Sequence, residues 1–79
     1  MSDERKYLKV HVMDNGVWDV EIPPNVWKEV SEWCEKDSKG YSIQEEYQGT
    51  MRYRIWAKTL GHLIDLLQKT SEILKKTPS

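Results

Sequence analysis

The residues best suited to chemistry in this chain lie on one alternating run, Met51 to Lys58. Arg52, Arg54, Trp56 and Lys58 fall there at two-residue steps, so a β-strand carries all four on one face. An indole ring among cations can stack a base while the cations hold phosphates, which is how sheet-surface modules grip single strands. The same grouping also describes an ordinary amphipathic strand whose Trp lies along arginine stems. Asp19, Glu21 and Glu46 are expected on this face and would cancel much of its potential, which favours the ordinary strand.

Other polar residues offer less. His11 is expected to face Asp19 across a hairpin, and His62 to sit at the surface of a helix's first turn. With Cys34 these are the only soft ligands in the chain, and no two have metal-motif spacing, so no metal site is expected. Cys34 falls in an apolar helical stripe and is expected to be buried and inert. Glu45 and Glu46 are neighbours in sequence only, because adjacent strand residues point to opposite faces. The four glycines are dispersed at turns, apart from Gly61 in a helix, and make no phosphate-binding loop. The pattern brings no nucleophile, base and orienting group together, so neither catalysis nor a cofactor is expected.

Four strands and two helices must position these residues. Leu8, Val10 and Val12 alternate with Lys9 and His11 in a strand over Tyr7 to Met13, and Trp18, Val20 and Ile22 alternate over Val17 to Ile22. A three-residue loop, Asp14 to Gly16, pairs Val12 with Trp18, Val10 with Val20 and Leu8 with Ile22. It also sets His11 opposite Asp19 and Lys9 opposite Glu21, with Gly16 supplying a positive φ. A second hairpin, Tyr41 to Tyr47 and Met51 to Lys58 around Gln48-Gly49-Thr50, places Glu46 opposite Arg52. Glu45 is left on the apolar side, an uncomfortable position that a bulge or an edge would relieve.

After Pro23-Pro24 ends the second strand, Asn25 is expected to cap a helix running to about Asp37. Its apolar stripe is Val26, Trp27, Val30, Trp33 and Cys34, and Gly40 closes the following loop. Thr59 is expected to cap the last helix, which reaches Lys75, with Leu60, Leu63, Ile64, Leu67 and Leu74 on its buried stripe. Leu66 and Ile73 lie off that stripe. They either pack against the first helix or form an exposed seam for a second copy or another protein.

The ββαββα order predicts an α+β two-layer sandwich: a four-stranded, mainly antiparallel sheet with both helices on one face. Pairing the first strand with the third at the centre would keep the sheet antiparallel throughout. The expected organisation is one domain over residues 7–76, with flexible ends at 1–6 and 77–79.

The chain has 79 residues, 38% apolar and 32% charged, with four Trp, four Tyr and no Phe. That composition describes a folded domain with a thin core, rich in rings that suit half-buried or interface positions. A net charge of −1 argues against both a generally basic nucleic-acid binder and an acidic nucleic-acid mimic. No run is apolar enough for a membrane span or a secretion signal, and a lone cysteine fits a reducing compartment, so a cytoplasmic location is expected. The function expected from these features is a non-catalytic protein-binding module, such as a regulatory, adaptor or inhibitor protein. It would act through an uncovered sheet face bearing Trp56, Arg52, Arg54, Lys58, His11 and Met13, or through Leu66 and Ile73 of the last helix. The partner is another protein, a second copy included. A single-stranded nucleic-acid binder using the Trp56 face is the alternative.

Overall fold

The computed structural model describes residues 8–76. Strands β1 (Lys9–Val12) and β2 (Trp18–Glu21) form the first hairpin. A 3-10 turn (Pro24–Val26) leads into helix α1 (Trp27–Glu35), and strands β3 (Tyr41–Tyr47) and β4 (Met51–Ala57) form the second hairpin before helix α2 (Leu60–Lys76). The fold is α+β, with four antiparallel strands in one open sheet and two helices in the order ββαββα.

Both hairpins keep the register that side-chain parity demands. Val12 pairs with Trp18, Val10 with Val20, His11 with Asp19 and Lys9 with Glu21. The Asp14–Gly16 loop closes through the Gly16 amide donating to the Met13 carbonyl at 3.0 Å, with Gly16 at φ +83°. In the second hairpin Glu46 pairs with Arg52 and Tyr47 with Met51, and Gly49 takes φ +77°. An L side chain at either glycine would meet backbone strain rather than a steric neighbour.

The strand order is β1-β2-β4-β3, so the central pair is β2–β4 and not the first and third strands. Either arrangement satisfies two antiparallel hairpins joined by a helix, so hairpin pattern alone leaves the order open. Burial explains the outcome. Val20, Ile55 and Ala57 are fully buried, whereas all of β1 is exposed. The strands with the larger apolar load take the centre, and short β1, with Lys9 and His11, takes an edge.

The core is built from Val20, Ile22, Tyr41, Ile55 and Ala57 below, with Val26, Trp27, Val30 and Cys34 of the first helical segment and Leu63, Leu66 and Ile73 of α2 above. Asn25 does not cap α1; it lies within the 3-10 turn, and no side chain caps either helical segment there. Thr59 does cap α2, its Oγ1 accepting the His62 amide at 3.1 Å.

Helix α2 is rotated by about a quarter turn from the orientation its leucine stripe implies. Leu63, Leu66, Thr70 and Ile73 are buried, while Leu60 and Ile64 are exposed. The helix packs against both the sheet and α1, so its buried arc is centred between those two neighbours. Trp33 of α1 and Ile73 line one groove between the helices. Leu66 and Ile73 are thus core residues, and no exposed seam forms on them.

Candidate functional site

The open sheet face carries the residues that parity places there, and its rows follow from the register. Ser42, Trp56, Asp19 and His11 form one row across the four strands; Gln44, Arg54, Glu21 and Lys9 form the next. The two guanidiniums of this face are engaged. Arg54 donates to Asp19 at 3.3 Å and to Glu46 at 3.0 Å, and Arg52 donates to Glu21 at 3.2 Å. Asp19 is buried although no helix covers this side. His11 is its strand neighbour, yet the carboxylate's ion pair is with Arg54. Trp56 points to this face and is half-buried, with an indole Nε1 that is inaccessible and has no protein partner. Lys58 is exposed and Met13 half-buried. The face is a self-neutralising charge network around a ring, rather than an array of free cations.

The helix side of the sheet is different. α1 packs chiefly against β3 and α2 against β4, and neither helix packs extensively on β1. Val10 and Val12 share the core-facing parity of Val20, yet they are 40% and 71% exposed. On α2 the residues lining its groove with α1 are Asp65, Gln68, Lys69, Glu72, Ile73 and Lys76. At 100° per residue, Leu60, Ile64, Leu67 and Leu74 fall on the opposite flank, above the β2–β1 side of the sheet. Leu60 is 57% and Ile64 46% exposed, with Leu67 and Leu74 half-buried. The surface there is a step, with the α2 flank as ridge and β1 as an uncovered shelf one layer below. The sequence pattern assigned these residues to the core. The available signal was modest: β1 offers only valines to the core face, and α2 has more apolar residues than one sheet can cover.

A third cluster lies where α1 ends and α2 begins. Asp37 Oδ2 is 3.0 Å from His62 Nε2, and Thr59 Oγ1 is 2.6 Å from His62 Nδ1. Tyr41 donates its hydroxyl to the His62 carbonyl at 3.0 Å and meets the imidazole edge-on at 5.1 Å. Hydroxyl, imidazole and carboxylate therefore do converge, which the sequence pattern did not foresee. Thr59 Oγ1 is occupied as the helix cap, and the arrangement works as a clamp between the two helix ends. The bond to His62 holds the Asp37 carboxyl below its usual range. Burial first, then the nearby Cys34, Asp65 and Asp37, pushes the Tyr41 hydroxyl up to about 12. Gly40 is required beside the clamp, because a Cβ there would collide with the His62 ring.

Cys34 is fully buried, and its thiol is pushed up to about 12, chiefly by burial and then by Asp37. Glu45 finds a partner on the apolar side, where the Trp27 indole N–H donates to it at 2.9 Å. Among the described residues no three His, Cys, Asp or Glu side chains are grouped to hold a metal ion. No helix among them is long and apolar enough to cross a membrane. Compared with known protein families, curated proteins and solved structures, the chain matches none.

Proposed function

We propose that this chain is a small non-catalytic protein-binding module of the regulatory, adaptor or inhibitor kind, and that the step formed by β1 and α2 is its contact surface. The observation that carries this reading is the exposure of Val10, Val12, Leu60 and Ile64 on one side of a small domain. Clustered apolar exposure of this kind marks interaction surfaces, since water gains nothing from contact with it. Single-stranded nucleic-acid binding on Trp56, Arg52, Arg54 and Lys58 has less support, because both guanidiniums are paired with carboxylates of the same face. A phosphate would have to displace those pairs before it gained a contact.

The test compares immobilised wild-type protein with Val12→Lys and Leu60→Lys variants as baits, with and without nuclease. The expected outcome is a defined protein retained after nuclease and lost with both variants. Capture that disappears with nuclease and depends on Trp56 would replace this reading with the nucleic-acid one.

A further inference from the structure

We infer that the outer edge of β3 receives an extended polypeptide segment patterned apolar–x–basic–x–apolar, which joins the sheet as an added strand. This contact lies at the far edge of the sheet from the step and stands apart from the reading above. Backbone hydrogen bonds fix which groups of β3 face outward. Lys58 donates to the Gly40 carbonyl at 3.1 Å and Gln48 to the Thr50 carbonyl at 2.9 Å, at the two ends of the β3–β4 ladder. Both fit the register that sets Ser42 opposite Trp56, Gln44 opposite Arg54 and Glu46 opposite Arg52. The even-numbered residues of β3 therefore direct their amides and carbonyls to β4, and the odd-numbered ones turn theirs to the outer edge. There the Tyr41 amide is taken by the Asp37 carbonyl at 3.2 Å. Among the described residues, the outward groups of Ile43, Glu45 and Tyr47 have no backbone partner.

The chemistry of that edge selects its occupant. An amide and a carbonyl recur there at every second residue, about 7 Å apart, a spacing that another extended backbone matches. The register runs through β3 without a bulge, so the edge is straight. It holds neither the proline nor the lysine that commonly blunts an edge, whereas β1 is only four residues long and carries Lys9. Side chains set the pattern. Ile43, Glu45 and Tyr47 share the helix-side parity, with Ile43 half-buried and Tyr47 72% exposed. A strand paired here sets apolar residues opposite Ile43 and Tyr47 and a cation opposite Glu45. The Glu45 carboxylate accepts from the Trp27 indole, but among the described residues no cation pairs with it. A second copy is a poorer occupant. Pairing β3 with itself about Glu45 would set two carboxylates directly opposite, and an inward-facing charge on an edge strand guards against that contact.

The experiment titrates wild-type protein with a short blocked peptide whose centre reads valine–threonine–lysine–threonine–valine, followed by amide NMR and solvent exchange. Without peptide, the Ile43, Glu45 and Tyr47 amides should exchange quickly and those of Ser42, Gln44 and Glu46 slowly. With peptide the three odd-numbered amides should become protected, with a dissociation constant on the order of 1 mM. Glutamate in place of the peptide's lysine should weaken binding about fivefold, by replacing an attraction with a repulsion. N-methylation of the lysine amide, which faces the edge, should abolish binding, whereas N-methylation of a threonine amide, which faces away, should not. Glu45→Gln keeps an acceptor for Trp27 and should weaken the lysine peptide about threefold. The peptide analogues act on wild-type protein, so they decide the matter should that variant fail to fold. Absence of protection at about 5 mM peptide, or binding that ignores both the lysine and the backbone methyl group, overturns the inference. Protection that rises with protein concentration alone gives the edge to a second copy and also overturns it. Peptide binding lost with Val12→Lys has occurred on the step and overturns the edge assignment. Failure at the edge leaves the step reading standing, because that reading is tested through Val12 and Leu60.

Discussion

Ile64 and Leu66 sit two residues apart on α2 and should respond oppositely to truncation. The leucine stripe puts Ile64 inside, whereas the folded chain leaves it 46% exposed and buries Leu66 completely. Leu66→Ala removes a fully buried side chain from between the sheet and α1. The lost transfer energy and the residual cavity together cost about 2–5 kcal/mol. Ile64→Ala gives up a side chain already half in water and gains a little helix propensity, so its cost is about 1 kcal/mol or less. A 79-residue domain has about 4–12 kcal/mol of stability in total. The first change therefore consumes a large share of it and the second very little. Urea unfolding followed by tryptophan fluorescence and far-ultraviolet circular dichroism, at low micromolar protein, measures both. The slopes should match the wild type, so that midpoints report stability alone. Equal losses, or a larger loss for Ile64→Ala, would refute the orientation of α2 and the exposed flank derived from it.

Acidification should uncouple the helix clamp. Asp37 is held below its unfolded value, so its contribution is present at neutral pH and is lost as pH falls from about 5 through the folded-state value. Asp37→Asn should flatten the stability profile over that interval, which urea titrations at stepped pH will show. Gly40→Ala should cost about 1–3 kcal/mol by overpacking, since its Cβ needs the space that the His62 ring occupies, and thermal denaturation reads this directly. Removing the Glu45 acceptor with Glu45→Ala should cost about 1–2 kcal/mol, and the loss should largely vanish in a Trp27→Phe background. Cys34 should react with a thiol reagent far more slowly in the native protein than in urea, because the thiol is both buried and protonated.

Hairpin register was legible because odd-length loops and period-two alternation constrain it twice over; Val12 opposite Trp18 and Glu46 opposite Arg52 follow from parity alone. The rotation of α2 was not. Its apolar residues cover more than half a turn, and only the position of α1 decides that Leu66 and Ile73 go inside while Leu60 and Ile64 stay out. Strand order escaped for a related reason, since both hairpins are self-consistent and long-range pairing depends on which strands carry the heavier apolar load. The open-face residues were placed correctly, but not their pairing, because an Arg on a strand can reach diagonal as well as opposite neighbours. The His62 clamp joins residues from three separate segments, none of which signals the others. Glu45 was recognised as misplaced, and its partner came from α1, beyond what strand pattern can show.

The central claim is that one contiguous apolar step, and not the leucine stripe as a whole, is left for a partner. Methyl NMR with a soluble paramagnetic agent in dilute solution tests it most directly. Strong relaxation at Val10, Val12, Leu60 and Ile64 and none at Leu66 and Ile73 is the result this account predicts. Accessible Leu66 and Ile73, or shielded Val12 and Ile64 in the dilute protein, would contradict it.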